Sequence, residues 1–444
     1  MAQQRAVVPG AGTGSPSGRG GAGAPRGAWG AWALGVSAYL VAVFHRTSLG
    51  VASLEAEHRF HIGPSLLATF VAAQLAVYAG MQIPTGAMAD RFGPRRMLTV
   101  ALVCLAAGEA LFGWGTDVGT ALSGRALVGV GDGLTFLNVL RLVQNWFPAT
   151  RYGLLTALTS LVGGIGQLIS TVPLRLGLLR LGWQATFVGS GAVTAAVAVV
   201  LWLRLPERPP GGPRLALRER PAMRLAVRHA MATPGTWRGT WAHFALTGPY
   251  VVFTALWGYP FLVRAQHYSG RAASIDLALV VGCAVASAPL VGMLMVRAPR
   301  ARGAAVVTSG LVLVAVWSAV LLWPATPAPE ALVGVLIVTL GLGGSTSVIA
   351  FDLAREANPP ERGGAATGVV NIGGFACAVL ADLVIGLVLD VVGRRGGGGG
   401  DYRLALAVVP CTVALGLVQF WRLGRRARVR PAVPVPSPGG GRGR

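Results

Sequence analysis

The sequence predicts an all-α, polytopic membrane protein: twelve transmembrane helices in two pseudo-symmetric six-helix bundles. Three observations carry that reading. Of 444 residues, 53% are hydrophobic and only 12% charged, about half the ~25% charge usual in a soluble domain. The apolar residues fall in runs close to the roughly 20 residues that cross a bilayer. Signals from the first half of the chain also recur in the second.

The expected spans are 29–53, 66–89, 97–116, 119–140, 153–176, 184–204, 239–263, 274–296, 303–323, 330–352, 363–391 and 402–422. They divide the chain into a disordered tail (1–28), an N-terminal bundle (29–204), a basic central loop (205–238), a C-terminal bundle (239–422) and a basic tail (423–444). Arginines crowd the central loop, the last tail and the loop after span eight (Arg297, Arg300, Arg302). All three lie on one side of a twelve-span chain, so the positive-inside rule places both termini in the cytoplasm, in a cell membrane. Arg175 and Arg180 run against that trend.

The formal net charge is +22, and the chain contains no lysine. A basic chain invites a nucleic-acid reading, but here the cations sit in loops and tails, where membrane topology puts them. Without lysine there is no Walker A site and no Schiff base. Cys104, Cys283, Cys377 and Cys411 lie in apolar runs with no ligand spacing, and read as small buried hydrophobes. Glu57-His58-x-x-His61 lacks the spacing of a helical metal site. No metal, cofactor or catalytic residue is expected, and no apolar leader with a cleavage site is expected at the start.

Between spans two and three stands Gly86-Ala-Met-Ala-Asp90-Arg91-Phe-Gly93-Pro-Arg95-Arg96. The turn is too short for a domain and joins two antiparallel helices. Gly86 suits close helix approach, Gly93 a tight bend, and Asp90 offers a carboxylate to arginines or a helix N-terminus. Span four carries Arg125-x-x-x-Gly129-x-Gly131-Asp132-Gly133 and is followed by Asn145-Trp-Phe-Pro148. Arg151-x-Gly153-x-x-Thr156 opens span five, and Arg362-x-Gly364-x-x-Thr367 opens span eleven. A worn copy of the first turn follows span eight, with Gly292 and Arg297 kept and Val296 in place of the aspartate. These patterns resemble the major facilitator superfamily, over nearly the whole chain except tails and central loop. The resemblance implies parallel six-helix halves around a midplane site, a small-molecule solute as partner, alternating access, and no enzyme activity.

Charges inside spans are costly in lipid and are the first candidates for function. The stretch from Tyr39 through Arg46 resembles span one of superfamily members that handle organic anions. An arginine there grips a carboxylate or phosphate bidentately; a structural ion pair or an interfacial position is the plainer reading. Glu109 and Arg125 sit at similar depth in adjacent spans, about 10 Å from the surface at 1.5 Å per residue. With Arg46 they predict a buried cluster, in which Glu109 is either a structural partner or a proton carrier. Asp132 is two turns from Arg125, about 10 Å away, and so is expected to need another partner: a proton, or a group on a neighbouring helix. Asp382 in span eleven is a weaker copy of the same case.

Gln74, Tyr78 and Gln82 recur every four residues and form a polar stripe facing a cavity or another helix. Gln167, Tyr250, Trp257 and Asn371 are further candidates for contact with solute. Trp257 and Tyr259 also fit an interfacial aromatic belt, and Pro249 and Pro260 are expected to break span seven. Arg355, Glu356, Glu361 and Arg362, with Asp90, Arg91 and Arg151, are expected from the resemblance to form a cytoplasmic gate.

The first functional expectation is proton-coupled uptake of an organic anion by a monomer. The alternative is proton-antiport efflux of drugs or metabolites. Antiporters of the superfamily carry a G-P-x-x-G-G-like signature in span five; here Gly163-Gly164-Ile-Gly166 has no Gly-Pro pair, which weighs against efflux. A membrane-embedded enzyme or receptor needs a constellation or extramembrane domain that the sequence does not show.

Overall fold

The computed structural model describes residue 25 and residues 27–206, 223–359, 362–393 and 399–429. Most of the two tails, the first part of the central loop and Glu361 lie outside them. Every long element among the described residues is helical. The first half contains α1 (Ala28–Thr47), α2 (Leu49–Phe60), α3 (Pro64–Phe92), α4 (Pro94–Trp114), α5 (Val118–Trp146), α6 (Tyr152–Ile169) and α7 (Val172–Arg204). The second contains α8 (Met223–Ala232), α9 (Pro234–Val252), α10 (Gly258–Pro260), α11 (Gly270–Arg297), α12 (Arg302–Leu321), α13 (Glu330–Thr346), α14 (Ile349–Glu356), α15 (Gly363–Gly393), α16 (Gly399–Leu406) and α17 (Val408–Val429). The expected central loop therefore ends in a helix, α8, and the last helix runs past 422.

Among the described residues, eleven continuous helical runs are long and apolar enough to cross a membrane, and one of these, Tyr152–Arg204, has 53 residues. At 1.5 Å per residue it would extend about 80 Å, far beyond a ~30 Å hydrocarbon core. It folds back at Gly182, whose φ of 75° and ψ of 178° interrupt the helix. A Cβ on Gly177 would lie 3.1 Å from Thr186 Cγ2, so the arms on either side of Gly182 run alongside each other. The run is two crossings, and the total among the described residues is twelve.

Local chemistry explains the other boundaries. Gly93 closes α3 with φ 81°, a conformation a Cβ disfavours, and Pro94 starts α4 where its missing N–H costs no bond. Asp117 caps α5 by accepting from the backbone N–H of Thr120 at 2.9 Å. Together with the Thr120 hydroxyl, that bond holds the Asp117 carboxyl below its ordinary range. Pro249 and Pro260 do not break span seven as expected. The chain stays helical, with π turns at Phe253–Trp257 and Phe261–Ala265; the first lies just before Pro260, where a wider turn relieves the clash of that ring with the backbone preceding it.

Helix contacts in lipid depend on small residues that bring backbones together. A Cβ on either Gly108 or Gly124 would sit 2.7 Å from the other's carbonyl oxygen, and one on Gly131 would sit 2.7 Å from Leu105 Cγ. The faces of α4 and α5 thus touch along their length.

The two halves meet from mid-depth to the end opposite the Asp90–Arg96 turn. That far end is sealed by several contacts. Arg264 Nη2 donates to Glu57 Oε2 at 2.5 Å, and burial pushes the Glu57 carboxyl up against the pull of that arginine. Arg175 bridges to Glu55 at 3.2 Å and lies 5.1 Å from the Tyr259 ring centre. Ser65 bonds Asp390 through its hydroxyl, and a Cβ on Gly386 would lie 2.8 Å from the Pro64 carbonyl. At the motif end, by contrast, Glu356 pairs with Arg302 and Asn358 with Thr236, each within one half. Added Cβ atoms on Gly153, Gly363, Gly364 and Gly368 would meet nothing within 4 Å. The molecule is closed at the far end and parted at the motif end.

Replacing Gly124 by Val should overpack the α4–α5 contact and cost about 1–3 kcal/mol, read as a lower melting temperature in detergent. Gly153→Ala should change it little; equal losses for both would show that the close approach carries no special weight.

Candidate functional site

In the last turn of α1, Arg46 grips Asp132, midway along α5. Nε donates to Oδ2 at 2.6 Å and Nη2 to Oδ1 at 2.7 Å. This fork geometry matches guanidinium to carboxylate. The Asp132 side chain is fully buried, while 13% of the Arg46 side chain remains accessible. The guanidinium carbon lies 4.6 Å from the centre of the Tyr78 ring and 5.7 Å from that of Phe375, close enough for cation–π attraction. Asn371 Nδ2 donates to the Tyr78 hydroxyl at 3.3 Å, and the Tyr250 hydroxyl donates to Gln167 Oε1 at 2.8 Å. Tyr78 and Gln167 come from the first half, Asn371, Phe375 and Tyr250 from the second. The accessible cation therefore sits in a polar and aromatic layer built by both halves. Local sequence permits the approach: a Cβ on Gly133 would meet Met81 Cβ at 2.6 Å, so α5 presents Asp132 hard against α3.

A second network lies beside it, within the first half. Glu109 Oε1 is 3.0 Å from His45 Nδ1 and 3.5 Å from Arg125 Nη1. His45 Nε2 is 2.7 Å from the Thr194 hydroxyl. Arg125 donates to the Ser48 hydroxyl and the His45 carbonyl, each at 3.3 Å, and to Gln74 Oε1. Gln74 Nε2 in turn donates to the Arg46 carbonyl at 3.4 Å. Glu109, Arg125 and Gln74 are fully buried. Arg46 and Arg125 thus stand against Asp132 and Glu109, so the formal charges balance, as burial in a low-dielectric bundle requires.

The geometry corrects several sequence expectations. Glu109 and Arg125 do meet, but Arg46 is not in their cluster; it turns to Asp132, one helical face away. Asp132 accordingly has a cationic partner, and that partner comes from a neighbouring helix. Gln74 does not line a cavity, because Arg125 and the α1 backbone occupy its amide. Gln82 donates back to the Tyr78 carbonyl at 3.5 Å. Trp257 and Tyr259 are 0% and 1% exposed, so neither belongs to an interfacial belt, and Trp257 Nε1 donates to the Asp382 carbonyl at 3.3 Å instead of facing solute. Tyr39 packs 5.0 Å from the Phe136 ring and against Gly163. Asp382 is fully buried, and neither carboxylate oxygen has a partner among the described residues.

His45, Thr194, Ser48 and Phe375 were not singled out from sequence. A histidine beside an arginine inside an apolar span was the signal for the first; nothing local marks the others. Among the described residues, the expected gate residues are not joined across the halves. Arg355 bonds Asp352 at 2.6 Å within its own helix, and Glu356 pairs with Arg302. Arg95 donates to the Trp202 carbonyl at 2.6 Å and stacks 4.5 Å from that ring; Arg91 stacks on Phe92 at 5.1 Å. Gly86 lies in the last turns of α3, while Arg96, Arg151 and Arg362 stand at helix starts along the same end. The Asp90 side chain lies outside the described residues.

Comparison with known proteins agrees with this architecture. The family model described as Major Facilitator Superfamily matches residues 35–382. A protein of Cupriavidus necator named as a probable sulfoacetate transporter, SauU, is 24% identical over 374 residues, covering 80% of this chain and 86% of its own. A putative glycerol-3-phosphate transporter 3 of Arabidopsis thaliana is 30% identical over 152 residues, covering 33% of this chain and 30% of its own. Among solved structures, a bacterial homologue of the human lysosomal transporter Spinster, in an inward-facing and unoccupied conformation, superposes with a TM-score of 0.73 at 16% identity. That match covers 91% of this chain and 98% of the other.

Removing one member of a buried pair strands the other charge and should cost about 3–5 kcal/mol. Arg46→Ala and Asp132→Ala should each lower stability strongly, and the double variant by less than their sum, with a coupling of about 0.5–3 kcal/mol. Strict additivity in thermal denaturation would mean that the pair does not form in the membrane.

Proposed function

The chain belongs to the Major Facilitator Superfamily, and from that premise we propose that it is a secondary active transporter that takes up a small organic anion together with protons. Arg46 carries the proposal: it is the accessible cation at mid-depth, between residues of both halves, and its fork is made for a carboxylate, sulfonate or phosphate. The anionic solutes in the names of two relatives support the same substrate class.

The pairing with Asp132 suggests how solute and proton are linked. An incoming anion competes with Asp132 for the Arg46 guanidinium. Once displaced, the Asp132 carboxylate is buried without a counter-charge, and taking a proton at an Oδ atom removes that cost. Solute and proton then occupy the site together, with the net charge of the layer unchanged by an anion bearing one charge. Tyr78 and Phe375 cover the guanidinium, and the Tyr250–Gln167 and Tyr78–Asn371 bonds span the two halves. Opening the far end must break those bonds, so solute contacts that replace them bias the two states differently. In this reading Glu109 and Arg125 brace α1, α4 and α5, and keep Arg46 aimed at the cavity.

The arginine-rich loops at the motif end fit a cytoplasmic placement of that end and of both termini, in the cell membrane. The parted end is then the cytoplasmic one. In this reading the working unit is a monomer.

Proteoliposomes with a pH dye inside test the reading with carboxylates, sulfonates, phosphorylated compounds, sugars and cationic drugs. Anions should move protons through the wild type. Arg46→Lys, which keeps charge but loses the fork, should lower transport by at least about tenfold, the effect of ~1.4 kcal/mol. Asp132→Asn should abolish proton movement while still binding anion. Signals from cationic or hydrophobic compounds alone would replace the proposal with efflux. A Glu109→Gln variant with full pH-driven transport would place Glu109 in a bracing role alone.

A further inference from the structure

Asp382 is a charge-bearing side chain for which the Arg46 site has no use. It lies in α15, fully buried, with neither Oδ atom partnered among the described residues. An ionised carboxylate without counter-charge or donor is among the costliest groups to hold in a bilayer protein. Its position gives that cost a meaning. One turn further along α15, Gly386 touches Pro64 of α3, and two turns further Asp390 bonds Ser65. On its other side the Trp257 indole donates to its backbone carbonyl, and Trp257 belongs to the π turn whose Thr254 meets Gly50 of α2. Asp382 therefore sits directly beneath the far-end seal, where α15 and span seven close against α2 and α3.

Among the described residues, the surrounding elements bring it no counter-charge. From Pro64 to Gln74, α3 has no titratable residue, and the Phe253–Trp257 turn has none. On α9, His243 accepts from the Gly374 backbone, two turns away, Tyr250 is engaged with Gln167, and Arg238 stacks on Phe420 at the motif end. Glu57, Arg264 and Tyr402 join one another in the outer layer, and Arg403 of α16 bonds the Ala325 carbonyl. Asp352, Arg355 and Glu356 of α14, Arg228 and His229 of α8, and Arg422 and Arg425 of α17 lie toward the motif end. On α15 itself the titratable group nearest to it in sequence is the Cys377 thiol.

We propose that Asp382 is a proton-binding site, distinct from the Arg46–Asp132 pair, whose occupancy sets the far-end seal. With the seal closed, the carboxyl holds a proton on one Oδ and is neutral. Parting of α15 from α3 admits water, the proton leaves to the far-side solution, and the hydrated carboxylate resists reclosure until it is protonated again. High pH at the far side thus favours the open end, and low pH the sealed one. The inference rests on the two-state reading of the fold but not on the substrate class or on Asp132.

Infrared spectroscopy and pulsed electron resonance, both without solute, test it. The purified wild type near neutral pH should show the carbonyl band of a protonated, unbonded carboxyl, and Asp382→Asn should lack it. A spin-label pair at Thr116→Cys and Leu322→Cys, both exposed at the far end, reports opening in a background where Cys104, Cys283 and Cys411 are Ala. The wild-type distance should lengthen as pH rises, and Asp382→Asn should hold the short distance throughout. Asp382→Ser, also uncharged, serves if Asn disturbs folding. Absence of the band, or a variant that opens with pH as the wild type does, overturns the proposal and leaves the Arg46–Asp132 reading standing.

Discussion

The Arg46–Asp132 fork sets a fully buried carboxylate on a guanidinium that is itself largely buried. Removing either partner leaves a bare charge in low dielectric, and that asymmetry makes the pair consequential whatever its net contribution to stability. The rest of the first half is arranged around it. Glycines on α5 bring Asp132 against α3, Gln74 holds the α1 backbone at Arg46, and Arg125 with Glu109 ties α1 to α4 and α5. The cation that remains is fixed in direction and open on one side, a condition for choosing among small solutes.

The two halves are joined in a graded way. At mid-depth the contacts are few, polar and aromatic: Tyr78 with Asn371 and Phe375, Tyr250 with Gln167. At the far end they are close backbone approaches and ion pairs such as Glu57–Arg264. The motif end is bonded within halves. This gradient is what a structure with two alternative closures shows in one of them. It also explains why the expected cross-half gate of Arg355 and Glu356 is not formed: in this state its members have local partners, Asp352 and Arg302.

The twelve crossings were legible because lipid imposes a length and a composition on each one. The family pattern was legible because its glycines, prolines and arginines act locally, through a tight turn at Gly93 or a helix start at Pro94. The same local logic misjudged Pro249 and Pro260, whose helix yields by widening into π turns when neighbours hold it on every side. It also misplaced Trp257, since an amphipathic ring at the end of a span reads as interfacial until the packing around it is known.

By itself the sequence determined that this is a twelve-helix membrane protein with a buried set of charges, because the energy of an arginine or aspartate in lipid does not depend on which partner it finds. Tertiary structure alone decided the partners. Arg46 and Asp132 are separated by 86 positions, and Gln74 chose an arginine over a cavity. Asp382 was left with none. Those outcomes follow from how helices cross and how closely their glycines let them approach, quantities that no single segment encodes.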